Sequence, residues 1–576
     1  MFNLRQLFPS QLFPFLQWRR PTAETLKRDL SAGLTVGLVV IPQSIAYATL
    51  AGMPPQTGLY AALLPCIVGI LWGSSQLLAV GPVALTSLLT FGSLAPLAVP
   101  GSAQWVPLAI WLALYAGLMQ FALGAFRLGR IADIVSQPVM LGFINAAAFL
   151  IILSQLPALT GLPFTVHDWS GPAARHLFAV MQTTPFLITS AFGLAAMLAL
   201  LALRRLAPRF PAMLFITLAG VLASWLLDYQ ALGGAVIGRV PAGLPQLQLP
   251  AAIPFASHQN LWPAALIIAL VSFTEAMSSA RVLARKRRER WDENQELIGQ
   301  GMAKLTAALC GTFPVSGSFS RSALNRYAGA ASAWASLVAA GCVLVALLWL
   351  TPVLAYLPHS VLAAIILVPM FSLIDLRGLR RMLAISRGEG AIALTTLAVT
   401  LLSAPRLHWG VFVGVGLTML SFLYRRAHPR IAEVGAHPDG TLRDRQRFSL
   451  PRLAPDVLAL RLDSALNFLT APKLEHEIGA RITADASIRR VLLCASAIND
   501  IDVSGVDVLA ALHRELTERG IALELCAIKK QVWDVMVLAG LLELIGVNHL
   551  YATDHSAVEA LANALQQEKF CGSARL

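Results

Sequence analysis

Apolar residues recur along most of the chain in long runs that are separated by short polar or basic stretches. A run of about 20 residues, folded as a helix, crosses a hydrocarbon core of about 30 Å. We therefore predict fourteen membrane segments, several of them short or interrupted by Gly and Pro. They lie at residues 31–50, 57–72, 81–97, 105–124, 131–156, 177–203, 211–227, 260–280, 293–311, 318–330, 332–350, 359–374, 388–404 and 408–424.

The composition supports a polytopic α-helical membrane protein. Hydrophobic residues make up 56% of the 576 residues and charged residues only 13%, which is more apolar surface than a soluble protein of this length needs. The net charge is +13, and a basic balance can indicate nucleic-acid binding. Here the basic residues cluster beside the apolar segments, so membrane topology explains them better and we expect no nucleic-acid partner.

Basic clusters give the orientation of the segments. They precede the first segment and follow the fourth, sixth, eighth, twelfth and fourteenth, and the longest is RVLARKRRER, at Arg281–Arg290. With fourteen segments they all fall on one side, whereas the opposite loops contain only Arg175, Arg239 and Arg406. Because basic loops stay in the cytoplasm, we predict a multi-pass protein of the cell (inner) membrane. Residues 1–30 and the C-terminus are then cytoplasmic.

The composition changes after residue 427. Residues 428–449 are polar and rich in turn-forming residues, so we predict a linker between a transport unit at 31–427 and a soluble domain at 450–568. In the soluble domain, strand patterns at 457–462, 489–495 and 521–528 alternate with helical patterns, which predicts a small cytoplasmic α/β domain. The helical patterns cover Ala471–Ile482, Val503–Leu516, Lys529–Leu538 and His555–Leu565.

Two of the fourteen segments are too short to cross the membrane as helices. AVGPVALTSLLTFGSLAP (Ala79–Pro96) and TFPVSGSFSRSALNRYAGA (Thr312–Ala330) are both interrupted by Gly and Pro. Each is the third of its half of seven segments, a pattern typical of inverted-repeat transporters whose half-helices meet near the membrane midplane. The positive ends of two half-helix dipoles attract an anion, and Arg321 would add a full charge. Alternatively, these are kinked ordinary spans with Arg321 at the membrane edge.

One acidic residue lies well inside an apolar segment, namely Glu275 in ALIIALVSFTEAMSSAR. A charged carboxylate in a membrane is costly unless it is neutralised, paired or hydrated, so it is a candidate functional residue. The alternative is a structural salt bridge, with Arg321 as the candidate partner.

The sequence shows none of the usual patterns of an enzyme or a metalloprotein. It contains no evident Ser/His/Asp set or phosphate loop, and its six cysteines form no CxxC pair and have no metal-like spacing. We therefore expect free thiols, no catalytic activity, no metal and no cofactor.

The stretch Asp29–Leu89 resembles the signature region of the SulP family of anion transporters, the sulfate permeases. The matching features are AGLTVG followed by PQSIAYA, then AGMPPQTGLY and VGPVAL. FPVSGSFSRSALN (Phe313–Asn325) resembles the tenth span of that family, and the soluble tail resembles its STAS domain. The resemblance implies a seven-plus-seven inverted repeat with core and gate domains, and a homodimer. It also implies a secondary transporter of a small anion, sulfate or bicarbonate first, that is coupled to H⁺ or Na⁺.

The same resemblance nominates site residues. The anion would lie between the third and tenth spans and face the first. Glu275, with Ser279 four residues on, would hold the coupling H⁺ or Na⁺. Gln43 and Tyr47 are four positions apart, so they share a helix face. The nominated anion contacts are Gln43, Tyr47, the backbone of Val83 and Ala84, Ser318, Phe319, Ser320 and Arg321.

In the tail, NDIDVSGVDVLAALHRELTERG (Asn499–Gly520) resembles the STAS loop and its following helix. The resemblance places Ser504 where related proteins are phosphorylated, so Ser504 is a candidate regulatory site and the domain could bind a cytoplasmic protein. Alternatively, Asp502 and Ser504 cap the helix and Gly505 permits close packing.

Four other functions stay open at this point. A C4-dicarboxylate transporter of the same family would use the same site, and an anion channel would need no coupling cation. A nucleobase permease would share the fold, but Arg321 and the STAS-like tail argue against it. A membrane-anchored signalling module would transport nothing, and the intact half-helix motifs argue against that.

Overall fold

The computed structural model describes residues 14–18, 20–162, 183–207, 211–439, 441–561 and 563. The chain forms two compact units, Met1–Thr418 and Met419–Leu576. Residues 1–13, Arg175, Cys571 and residues 564–568, which entered the predictions above, lie outside the described part.

Apolar helices make up the first unit. They are α1 (Ala23–Leu50), α2 (Pro55–Trp72), α3 (Ala84–Leu94), α4 (Trp105–Ala125), α5 (Gln137–Thr160), α6 (Thr184–Leu206), α7 (Ala212–Leu226), α8 (Phe255–Arg287), α9 (Glu293–Leu309), α10 (Phe319–Tyr327), α11 (Trp334–Val345), α12 (His359–Phe371), α13 (Leu376–Ile385), α14 (Arg387–Leu402) and α15 (His408–Ala427). Helix α11 continues through a π turn (Ala346–Leu350) and a last α turn (Thr351–Leu354), and α15 runs past the end of this unit.

Each of the fourteen predicted segments overlaps one of these helices. Eight helices in the described residues are long and apolar enough to cross a membrane, and α3 and α7 are shorter apolar helices. This arrangement is consistent with fourteen spans. The additional helix, α13, was not predicted, because it exposes basic residues and buries Leu379 alone, so it has no apolar run.

The two short segments fold as half-helices, as predicted. Helix α3 has 11 residues and α10 has nine, which correspond to about 16 Å and 14 Å, or about half of a hydrocarbon core. Each follows a short strand, β1 (Ala79–Gly81) or β2 (Ser316–Ser318). The two strands pair antiparallel, with Ala79 opposite Ser318 and Gly81 opposite Ser316. This ladder brings the starts of the two half-helices into one place.

A six-stranded sheet and several helices form the second unit. The strands are β3 (Ile431–Ala436), β4 (Leu442–Asp444), β5 (Val457–Leu462), β6 (Arg490–Cys494), β7 (Ala522–Cys526) and β8 (Leu550–Tyr551), and the helices include α16 (Ala471–Ala484), α17 (Val503–Glu518), α18 (Lys530–Leu538) and α19 (Leu541–Ile545). The strand order is β4-β3-β5-β6-β7-β8. Strands β5 to β8 are parallel, whereas β3 is antiparallel to both of its neighbours. The near-continuous apolar run of β5 is typical of a parallel strand buried on both faces.

The linker prediction for residues 428–449 was wrong. The segment contains β3 and β4, and β3 pairs with β5 through Ile431–Leu462 and Glu433–Leu460. Its polar composition suits the edge of a sheet, where β4 and much of β3 stay partly exposed. The three strands and the helices predicted between 457 and 538 are found within a few residues of their expected bounds.

Candidate functional site

The two half-helices begin beside the β1–β2 ladder. Val83 caps α3 in an extended conformation, and Ser318 caps α10 by accepting a hydrogen bond at Oγ from the Arg321 N–H over 3.4 Å. The first N–H groups of a helix have no partner within that helix. Val83, Ala84 and Ser318 are buried, whereas Phe319 and Ser320 are exposed at the start of α10. The structure thus brings together the nominated residues of the third and tenth spans.

The Arg321 side chain runs from α10 to the start of α3. It is 2% exposed, and its Nη1 donates to the Pro82 carbonyl oxygen over 2.6 Å. Its Nη2 is buried and has no hydrogen-bond partner among the described residues. A buried guanidinium N–H without a partner is costly, so it marks a place where an acceptor can bind.

Gly81 leaves room for this guanidinium. Its φ of +152° is one that residues with a side chain rarely adopt, and a Cβ there would lie 3.3 Å from Arg321 Nη2. The glycine therefore serves both the turn into α3 and the close approach of the arginine.

Helix α1 contributes Gln43 and Tyr47, which are 3% and 5% exposed. Gln43 Nε2 donates to the Met213 sulfur on α7 over 3.1 Å, and its Oε1 has no partner in the described structure. Tyr47 interacts electrostatically with both Arg321 and Glu275. The predicted face of α1 therefore adjoins the half-helix starts.

Glu275 lies on α8 and completes this group. Its Oε2 is buried and accepts no hydrogen bond from any described residue, and it interacts electrostatically with Arg321. The described residues contain no Glu275–Arg321 ion pair, so the geometry does not favour the structural salt bridge. Ser279 donates its hydroxyl to the Glu275 carbonyl oxygen over 3.2 Å, so it is engaged by its own helix rather than by the carboxylate.

Two buried carboxylates of the first unit differ from the partly buried Glu275 because their oxygens are well bonded. Asp29 accepts hydrogen bonds from the Ala331 N–H and from the N–H and hydroxyl of Ser332. Glu296 accepts from the N–H groups of Ser74 and Ser75. Both residues join separate parts of the first unit. Glu275 Oε2, in contrast, has no partner among the described residues.

Sequence reasoning missed Lys304, in the middle of α9. It is fully buried, and its Nζ donates to Gln120 Oε1 on α4 over 2.9 Å. Gln120 Nε2 donates in turn to the Ala269 carbonyl oxygen over 2.6 Å and to Ser272 Oγ over 3.1 Å, both on α8. A lysine inside the apolar segment 293–311 is itself an indication of a functional residue, as an acidic residue would be.

In the second unit, Ser504 is the second residue of α17 and is half-buried. Asp502, rather than Ser504, caps the helix, because its carboxylate accepts from the N–H groups of Gly505 (2.8 Å) and Phe468 (3.0 Å). A Cβ on Gly505 would lie 2.5 Å from the Leu466 carbonyl oxygen. The close-packing interpretation of Gly505 fits this geometry, and the role of Ser504 stays a prediction.

The sheet also brings two cysteines together. Cys494 and Cys526 are opposite each other on β6 and β7, and the Cys526 thiol donates to Asp554 Oδ1 over 3.4 Å. The ligand atoms of the three residues lie within 4.8 Å of one another. Both cysteines are fully buried among apolar residues such as Leu492 and Leu561, so we interpret them as core residues.

Comparison with known protein families gives two matches. The profile of the "Sulfate permease family" matches residues 26–396, and that of the "STAS domain" matches residues 452–557. A protein named as a probable sulfate transporter from Mycobacterium tuberculosis is 32% identical over 547 residues, which cover 95% of this chain and 97% of that protein. The chloroplastic sulfate transporter 4.1 from Arabidopsis thaliana is 30% identical over 577 residues, which cover 96% and 83%.

Solved structures show the same fold. Murine Solute Carrier 26 family member A9, an anion transporter in the inward-facing state, matches with a TM-score of 0.86 at 21% identity and covers 98% of this chain and 95% of its own. The transmembrane domain of a cyanobacterial bicarbonate transporter matches with a TM-score of 0.58 at 23% identity, over 69% of this chain and 99% of that one. The predicted class, a helical transporter unit followed by an STAS domain, is therefore confirmed.

Proposed function

The chain belongs to the sulfate permease family, and we propose that it is a secondary transporter that carries a small anion across the cell membrane. The family consists of transporters, so the prediction of a transporter rather than an enzyme is confirmed. Beyond membership of this family, the proposal concerns the identity of the anion, its binding residues and the coupling ion.

The partnerless Nη2 of Arg321 is the observation that carries the proposal. It lies beside Gly81 and close to the starts of both half-helices. An anion placed there would accept from the guanidinium and face two helix N-termini, whose dipoles favour negative charge. Tyr47 and Gln43 would add neutral donors, and Ser318 and Ser320 hydroxyl donors. Phe319 would form an apolar wall at the exposed end of α10.

Sulfate is the first candidate for the anion and bicarbonate the second. Two relatives with full-length similarity are named sulfate transporters, and a structural relative is named a bicarbonate transporter. Both anions are small and rich in acceptor oxygens, which suits an arginine and two dipoles. A C4-dicarboxylate, which has the same charge as sulfate, is the alternative within the family.

Glu275 is the proposed coupling residue. An ionised carboxylate near the site would repel an incoming anion, so anion binding and protonation of Glu275 should support each other. Such linkage is reciprocal, because each ligand raises the affinity of the other by the same factor. Na⁺ held by Glu275 and Ser279 is the alternative, although the Ser279 hydroxyl is turned to its own helix. A channel would show neither coupling.

Several wider features belong to the same proposal. The transport unit comprises residues 31–427, with both termini and the basic clusters in the cytoplasm and the bilayer around its apolar helices. The chain acts as a homodimer of seven-plus-seven repeats. The STAS domain binds a cytoplasmic protein, and phosphorylation of Ser504 regulates it.

Uptake of radiolabelled sulfate into liposomes that contain the purified chain tests the function. We expect saturable uptake that an inward proton gradient drives above equilibrium, with bicarbonate competing more weakly. Stronger competition by a C4-dicarboxylate would reassign the substrate within the family. Uptake that only ever reaches equilibrium under the gradient would favour a channel. No uptake of any of these anions by correctly inserted protein would contradict the proposal.

A further inference from the structure

Lys304 is a buried basic residue that forms no ion pair with any residue that the structure describes. It is 0% exposed, and its one hydrogen bond in the described part of the chain goes to the neutral side chain of Gln120. A charged lysine inside a membrane unit is expensive, so a functional partner is the default expectation. The amide of Gln120 orients the ammonium but does not neutralise it.

The one acidic residue of α8 is Glu275. Gln120 is bonded to Ser272, which is three residues before Glu275 on α8 and therefore on the same helix face. Lys304 and Glu275 interact electrostatically, as do Arg321 and Glu275. Gln120 thus hydrogen-bonds both to Lys304 and to a residue that lies one turn before Glu275 on α8.

The elements packed around Glu275 present few charges to it. Helix α9 contributes Lys304, α10 contributes Arg321, and α1 contributes the neutral Tyr47. Helix α4 contributes Gln120, whereas α3 and β2 consist of apolar, glycine and hydroxyl residues only. The local charge therefore depends on two basic side chains and one acid.

We propose that Lys304 is a built-in counter-cation of the anion site, which supplies the positive charge that a metal ion would otherwise bring. The inference rests on the proposed anion transport and states which side chains balance the charge of the bound anion. With Lys304 and Arg321 protonated and Glu275 ionised, the three side chains sum to one positive charge, which matches a monovalent anion. With Glu275 protonated, they sum to two positive charges, which match sulfate. A divalent anion is then carried with a proton and without Na⁺.

Two variants of Lys304 and one control variant separate charge from packing. Lys304→Gln removes the charge and keeps a polar partner for Gln120, whereas Lys304→Arg keeps the charge in a bulkier group. Lys286→Gln is the matched control, because it removes the same charge from an exposed position at the end of α8. All four proteins are purified as full-length chains, and correct folding is checked by size-exclusion elution.

The first measurement is the thermal unfolding temperature in NaCl against choline chloride at equal ionic strength. It needs no knowledge of the substrate. We expect no specific Na⁺ effect for the wild type, Lys304→Arg and Lys286→Gln, since the counter-cation is already present. Lys304→Gln should become stabilised by Na⁺. A specific Na⁺ stabilisation of the wild type that equals that of Lys304→Gln would overturn the proposal.

The second measurement is uptake of sulfate and of bicarbonate in liposomes with Na⁺ or choline. Lys304→Gln should lower the affinity for sulfate by roughly ten-fold or more, and the affinity for bicarbonate by a smaller factor. Uptake by this variant should also become dependent on Na⁺. An unchanged ratio of the two affinities would also overturn the proposal. If the wild type transports neither anion, the proposed function fails, and the Na⁺ dependence of unfolding still decides the role of Lys304.

Discussion

Arg321 Nη1 donates a hydrogen bond to the Pro82 carbonyl oxygen over 2.6 Å, although the two residues are 239 positions apart. The bond ties the first turn of α10 to the residue that precedes the cap of α3, so the two half-helices position each other. The second terminal nitrogen of the same guanidinium has no partner among the described residues. One half of the group fixes the geometry, and the other half is available to a ligand.

Gly81→Ala should weaken sulfate binding by roughly ten-fold. The added Cβ would lie 3.3 Å from Arg321 Nη2, and a φ of +152° strains alanine. Titration calorimetry with sulfate on the purified variant measures the effect. Gly341→Ala is the control, since a Cβ there meets no atom within 4 Å. Wild-type affinity in a folded Gly81→Ala protein would mean that this glycine does not shape the site.

Glu275→Gln should bind sulfate but lose accumulation driven by a pH gradient. Gln resembles the protonated acid and cannot release a proton, whereas Glu275→Asp keeps a titratable group and should retain part of the response. At zero membrane potential, one coupled proton per anion supports up to about ten-fold accumulation for each pH unit. The ratio of internal to external sulfate in liposomes with an imposed pH gradient measures this accumulation. A Gln variant that still concentrates sulfate as the wild type does would remove Glu275 from the coupling step.

The proposed topology predicts opposite labelling of two introduced cysteines. Lys286→Cys lies in the basic cluster after α8, and Val99→Cys lies in the loop after α3, where the native side chain is 73% exposed. A membrane-impermeant maleimide should label Val99→Cys in intact cells and Lys286→Cys only after lysis. The reverse pattern, or labelling of both in intact cells, is incompatible with fourteen spans and cytoplasmic termini.

Glu524→Gln should stabilise the STAS unit, and the gain should grow with pH. Glu524 is 4% exposed on β7, and its Oε2 has no described partner. Burial raises the pKa of Glu524 above its usual range. An acid whose pKa is raised in the folded state favours folding while it is protonated, and this contribution is lost as the pH rises through the folded-state pKa. Gln does not titrate and so avoids that loss.

Hydrogen exchange of β7 amides in the full-length protein measures this effect. The Gln variant should exchange more slowly than the wild type at neutral pH, and the difference should shrink in acid. Glu543→Gln, at an exposed position on α19, should change nothing. Equal exchange in Glu524→Gln and wild type at all pH values would show that Glu524 carries no uncompensated charge when the protein is folded.

The sequence was sufficient for features that depend on local pattern. Apolar runs located the helices, and Gly-Pro interruptions located the half-helices with Arg321 in one of them. The hydrogen bond between Lys304 and Gln120 could not be predicted from local sequence, because the two residues are 184 positions apart. Strand β4 was missed because edge strands can be polar. Strand β3 was missed because its partner β5 lies beyond the turn-rich stretch that separates them. Helix α13 was missed because it buries one leucine and has no apolar run.

The proposed binding of an anion by Arg321 is tested most directly by titration calorimetry of sulfate with the wild type, Arg321→Ala and Arg326→Ala. Arg326 is the matched control, because it lies on the same half-helix but stacks over Tyr327 instead of reaching α3. Loss of a charge-assisted hydrogen bond costs about 1.5–3 kcal/mol. We therefore expect Arg321→Ala to bind sulfate roughly 10- to 150-fold more weakly, and Arg326→Ala to bind as the wild type does. Equal sulfate affinity in all three folded proteins would contradict the assignment.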